Sequence, residues 1–349
     1  MGEVLGVGTT HVPYLMSAPE NLLRFRKMLC GLASSLTGKP FVDPPEALAE
    51  MGSDPEAVAR EHHRLHWEAF AELRAYIQRV RPDAILLIGD DQAQAFVPAN
   101  MPPYAIYVAA DVDAAPFHAT RMPGDAEYVK RTWGVDPTHT YHWPCHAPAA
   151  TLLRDGLIER GFDIASSDDL NSAHWKHGLP HAHANTQLFV RNDLDRIPII
   201  PLFVNCYGPD LAIFDPEARK DPSRLAAYPK APSSRRLYAM GEAIAEIVAA
   251  SSYRVMVCPS STWSHTWLTT RYERMRMDSE GNLAILRALE RGEGAVLRDY
   301  DSPEIEANGD HELRNWIVGA GAMGTRKLAV TWHRASWVST GFRVFGVWN

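Results

Sequence analysis

Five polar clusters in this chain hold residue types that bind metals or move protons. They are His11 within Thr9-Thr10-His11-Val12-Pro13, the run Asp90-Asp91-Gln92, the pair Asn205 and Tyr207, the turn Ser264-His265, and Glu312. Imidazole exchanges a proton near neutral pH or ligates a metal. Imidazole and carboxylate gathered on one face, with positions left open, suit iron(II) and oxygen. The first four clusters each follow an apolar run, at residues 4–8, 84–88, 196–204 and 255–258, and each run reads as a buried strand. In open α/β sheets, sites form beyond the carboxyl ends of strands. Four strands that each end in a polar cluster therefore predict convergence on one sheet edge. Taken alone, each histidine also reads as a loop side chain bonded to a carbonyl, and Glu312 as ordinary helix-start chemistry.

The elements between these clusters follow from spacing. Residues 55–80 carry the periodicity of one helical face, through Val58, His62, Leu65, Ala69, Leu73 and Ile77. His62 and His66 share a side of that helix, but no glutamate is placed as in a zinc H-E-x-x-H motif, so they read as structural. Further helices are expected at 149–160, 234–250, 282–289 and 312–322, the last capped by Asn308-Gly309-Asp310. Late strands are expected at 328–332 and 341–347. Residues 111–146, rich in Pro, His and aromatics without a period, read as a long functional loop. Residues 171–187 carry His174, His177, His181 and His183, and Gly178 and Pro180 prevent a regular helix through their middle. That stretch is either a pocket wall or a surface loop. Helix, turn and apolar strand in alternation predict an α/β fold, a single domain with a central mixed sheet flanked by helices and its active site at the carboxyl ends of strands.

Composition narrows the function. The chain has 349 residues, 46% hydrophobic and 22% charged, as in an ordinary globular enzyme. A net charge of −7 with no basic block argues against nucleic acid. No apolar run reaches the length of a membrane span, and the start MGEVLGVGTTHVP lacks the features of a signal peptide. Cys30, Cys145, Cys206 and Cys258 have no paired spacing, which fits a reducing cytoplasm. No G-x-G-x-x-G follows a strand, and neither a Walker A motif nor a G-x-S-x-G elbow is present.

The motifs GVGTTHVP, RPDAILLIGDDQ followed by PPYAIY, HGLPHA, IPIIPLFVN, SSTWSHTW and ELRNWIVGAGA span nearly the whole chain. In this order the chain resembles the class III extradiol ring-cleavage dioxygenases, the family of the protocatechuate 4,5-dioxygenase catalytic subunit, and within it the branch of 3-O-methylgallate dioxygenase. The resemblance implies one catalytic domain over residues 1–349 and an Fe(II) cofactor. It implies a small dihydroxylated aromatic substrate with O2 as co-substrate, no membrane partner, and a homodimer. Carried over by motif, the metal ligands fall on His11, Gln92 and Glu312. The family has a second histidine where Gln92 stands, and an amide oxygen is a poorer iron(II) ligand. Gln92, a neighbouring acid or another histidine fills that position, or iron binding is weak or lost. The acid–base role falls on His265, with His181 as helper or substitute. His118, Tyr207 and Trp263 are the expected substrate contacts. Two other readings stand beside this one: a non-catalytic partner subunit of the same fold, favoured by Gln92, and another metal-dependent enzyme, such as a zinc hydrolase.

Overall fold

The computed structural model describes residues 1–349 apart from Arg121, Ala173, Pro216, Glu217 and Arg219. Its centre is an eight-stranded mixed sheet in the order β6-β3-β7-β2-β8-β1-β10-β9. The strands are β1 (Glu3–Gly8), β2 (Ala84–Asp90), β3 (Tyr104–Tyr107), β6 (Ala165–Ser167), β7 (Ile199–Val204), β8 (Arg254–Pro259), β9 (Leu328–Ser336) and β10 (Gly341–Trp348). Strands β7, β2, β8 and β1 are neighbours and mutually parallel, so their carboxyl ends share one edge. β10 pairs antiparallel with β1, which brings its amino end to that same edge. The predicted convergence follows directly from this arrangement.

Burial on both faces explains why the central strands read as continuous apolar runs. Every residue of β2 is buried. Leu86 and Ile88 enter one core with Leu153, Leu237, Ile244 and Ile317, from the helices Ala147–Glu159, Ser234–Ala249 and Leu313–Met323. Ile85 and Leu87 enter the other with Phe70, Leu73 and Leu188, from the helices Pro55–Val80 and His181–Phe189. The single mixed-sheet α/β domain is thus observed, with helices on both faces.

Helix Pro55–Val80 has the predicted limits, and both are chemical. The Asp54 carboxylate accepts the Ala57 N–H at 2.9 Å, proline fills the first turn, and Arg81 ends the helix in the left-handed region at φ 42°. Residues 111–146 differ from the expected loop. They form a two-stranded antiparallel sheet, β4 (Asp111–Ala114) with β5 (Tyr141–Pro144), and between them the helix Asp125–Trp133. In residues 171–187 no helix runs through the middle, as expected: among the described residues the helix begins only at His181, with Pro180 as the N-cap of His181–Phe189. No helix among the described residues is long and apolar enough to cross a membrane.

Candidate metal centre and its cavity

Each ligand-type side chain is delivered by a strand end or a helix start. His11 lies three residues past β1, buried, with Nδ1 3.3 Å from the Ser260 hydroxyl. With Nδ1–H donating to Ser260, Nε2 keeps its lone pair and faces Asp90 Oδ1 at 3.6 Å and Glu312 Oε2 at 3.5 Å. Asp90 is the last residue of β2 and wholly buried. Glu312 precedes helix Leu313–Met323 as its N-cap, one residue earlier than the sequence pattern places it. The expected cap at 308–310 instead follows the helix Ser302–Ala307, whose C-cap is Asn308. The Glu312 carboxylate does not cap its own helix. It accepts the Tyr207 hydroxyl at 2.6 Å and the Thr262 backbone N–H at 3.1 Å.

One ligand atom each from His11, Asp90 and Glu312 lies within 4.8 Å of the others. Burial and the neighbouring Asp90 charge hold the Glu312 carboxyl well above its usual range, and burial raises Asp90. Burial lowers His11 to about 4, so its imidazole is neutral at physiological pH. Two carboxylates and an unprotonated imidazole in a dry site form a donor set that a divalent cation satisfies.

At the second ligand position the structure sets two of the expected alternatives, Gln92 and a neighbouring acid, side by side. The Gln92 amide nitrogen, not its oxygen, faces the acids, donating to Asp90 Oδ2 at 3.2 Å and lying 3.4 Å from Glu312 Oε1. It also reaches the Tyr207 hydroxyl at 3.1 Å. A donor so placed braces carboxylates rather than ligating a cation. Asp90, two residues earlier, is the acid whose carboxylate groups with His11 and Glu312. Its signal in the sequence was a carboxylate at the end of an otherwise apolar buried strand, a costly placement without a partner.

Above the triad lies a cavity of about 230 Å³. His11, Gln92, His181, Tyr207, His265 and Glu312 line its polar end, and Phe25, Met28, Leu29, Phe214 and Trp267 its apolar walls. Helix Leu22–Thr37 supplies three of those wall residues. His265 Nε2 lies 3.7 Å from Glu312 Oε1, and its buried Nδ1 has no hydrogen-bond partner. His181 stands edge-on to His11, with ring centroids 5.3 Å apart. Burial lowers both His265 and His181 to about 3. Gln94 Oε1 lies 2.9 Å from the His181 backbone N–H and 2.8 Å from its Nδ1. The backbone can only donate, so that Gln94 atom is the accepting oxygen, and Nδ1 must carry the ring proton. His181 Nε2 is therefore the basic nitrogen.

Two expected substrate contacts lie elsewhere. His118 stacks on His177 at 4.0 Å, bonds the Ala115 carbonyl through Nδ1 at 2.9 Å, and does not line the cavity. Trp263 is fully buried against Trp316 and Phe342, while Trp267, four residues on, forms the wall. Tyr207 does line the cavity, with its hydroxyl committed to Glu312. Sequence reasoning passed over Gln94 and Arg343. Gln94 left no signal, but an arginine inside the apolar run GFRVFGV marks a buried cation.

No family model matches this chain, and no curated protein matches it. Among solved structures, an uncharacterized protein of Escherichia coli K12 is similar over 80% of this chain and 91% of its own, with 11% identity and a TM-score of 0.47. A likeness at that level carries no argument about function.

Proposed function

We propose that this chain is an iron(II)-dependent extradiol dioxygenase, opening the ring of a catechol, gallate or related aromatic beside its diol, with both atoms of O2 entering the product. The observation that carries the reading is the buried triad His11, Asp90 and Glu312 under a cavity with aromatic walls. The motif resemblance supports it. Bound at the triad, iron(II) would supply Lewis acidity toward the diol and reactivity toward O2. The protein's own part is positioning and proton transfer. Apolar walls hold the ring and exclude water. His181 Nε2, held unprotonated by Gln94, takes a phenolic proton and returns it after the ring opens. His265 stands across the triad as the second proton carrier. Tyr207 and Gln92 keep the Glu312 carboxylate aimed inward.

A second reading has a specific observation in its favour. One imidazole and two carboxylates form a harder donor set than two imidazoles and one carboxylate, so another divalent-metal reaction is the competitor. Anaerobic loading with iron(II), metal analysis, and oxygen uptake with a panel of catechols separate the two. Stoichiometric iron with substrate-dependent uptake, lost in His11→Ala, Asp90→Ala and Glu312→Ala, supports the dioxygenase. Tight zinc or manganese with no oxygen consumption would discard it. Gln92→Ala is expected to keep its metal, with affinity weakened by about tenfold, the lower end for a residue that supports a ligand.

A further inference from the structure

Arg343, the third residue of β10, lines the same cavity and is 3% exposed. A buried guanidinium is costly unless paired. Its hydrogen bonds nevertheless go to neutral acceptors: the Ser339 hydroxyl at 2.6 Å, the Gly341 carbonyl at 3.1 Å and the Ser339 carbonyl at 2.9 Å. Its Nε–H is buried and meets no acceptor among the described residues. The Tyr14 ring beneath it, 5.5 Å away, adds a cation–π contact but no negative charge.

The carboxylate of Glu50 lies at the far end of a buried chain of polar groups and is already paired with Arg334, whose Nε donates to Glu50 Oε1 at 3.2 Å. Ser339 Oγ donates to Ser336 Oγ at 2.5 Å, and Ser336 Oγ lies 2.8 Å from His62 Nδ1. His62 Nε2 lies 3.2 Å from Glu50 Oε1. Glu50 Oε2 accepts the backbone N–H groups of Trp337 and Val338 at 2.6 and 2.8 Å. The Ser339 proton goes to Ser336 and the Ser336 proton to His62 Nδ1. His62 Nε2 stands at ion-pair distance from Glu50 without hydrogen-bond geometry. Every link leads away from the cavity. This chain of groups fixes the Ser339 hydroxyl that holds the guanidinium, while Glu312 and Glu50 act on Arg343 through space without accepting a hydrogen bond from it.

We propose that Arg343 is the anion-binding group of this cavity, holding the carboxylate of an aromatic ligand, and that Glu50, His62, Ser336 and Ser339 are positioning residues for it. This rests on reading the cavity as an aromatic binding site but does not require iron. A guanidinium stays charged in a dry site and gives a carboxylate a charge-assisted hydrogen bond, here from the Nη2 hydrogen that Ser339 leaves unused. A neutral phenol would occupy the walls and leave Arg343 without an anion.

The test is calorimetric titration of the full chain, as isolated and after metal removal, with benzoate and with its neutral isostere benzamide. Benzoate is expected to bind at least about tenfold more tightly, the discrimination of one charge-assisted pair. In Arg343→Gln that ratio should fall to near one, with benzamide affinity unchanged. In His62→Gln it should fall severalfold, a change that a purely structural role would impose on both ligands equally. Equal affinity for the two ligands in the unaltered protein, or binding of neither, overturns the proposal without any variant. A benzoate preference without iron uptake would leave it standing and remove the dioxygenase reading. Oxygen uptake with catechols beside equal benzoate and benzamide affinities would do the reverse.

Discussion

At Gln94, one amide oxygen decides which nitrogen of His181 is basic. Replacing it with leucine frees the imidazole to place its proton on Nε2 and abolish the acceptor that faces the cavity. Gln94→Leu is expected to lower kcat by about tenfold to a hundredfold, the low end of a general base's contribution. Gln94→Glu, which keeps an acceptor oxygen, should restore most of it. Full activity in the leucine variant would move the proton-acceptor role to His265. The sequence exposed His11, Glu312, His181 and His265 because histidine and glutamate after a strand or before a helix are rare enough to notice. It left the second ligand open between Gln92, a neighbouring acid and another histidine because the resemblance counts positions along the chain. The structure counts which side of the strand end a carboxylate leaves from, and there Asp90, not Gln92, points to His11. Trp263 and Trp267 differ only in which turns inward, and four residues of loop conceal that choice.

Glycine and tryptophan set the depth at which the Glu312 helix sits. A Cβ on Gly8 would stand 2.1 Å from the Trp316 ring, and one on Gly319 would stand 2.7 Å from Pro259. Helix Leu313–Met323 can therefore lie close against β1 and β8, with Glu312 over His11. Gly8→Ala is expected to cost roughly 1–3 kcal/mol of stability, the usual penalty of overpacking. The midpoint of urea unfolding would register it, and the same variant should lose metal affinity as the helix is pushed outward. An unchanged midpoint would mean that Trp316 rotates away freely. Elements with strong periodicity or apolar runs were legible, as with residues 55–80 and the four parallel strands. The β4–β5 hairpin and its inserted helix were not. Its strands alternate over four residues each, too short to establish a period.

Across the whole molecule, His63 and His66 of helix Pro55–Val80 make stability depend on pH. His63 is buried beside Tyr128, whose hydroxyl lies 3.1 Å from Nε2, and burial lowers it to about 4. The unfolded chain takes up this proton near pH 6.5, and the folded one only near 4. Its contribution is therefore complete above about pH 6.5 and lost as pH falls toward 4, on the order of 3 kcal/mol in all. Denaturant midpoints between pH 7 and 4.5 should fall more steeply for the unaltered protein than for His63→Gln. Parallel curves would show that His63 titrates normally in the fold.

β10 lies between β1 and β9, so one edge of the parallel core stays open until residues 341–348 pair with it. The order of synthesis then separates two capacities. Once residue 312 has emerged, a growing chain already contains every member of the triad. The cation that reads a ligand's charge arrives only with the last strand inserted beside His11's own. On the proposed reading, a folding chain would accept a metal before it could choose a ligand, and ligand preference would report the completed sheet.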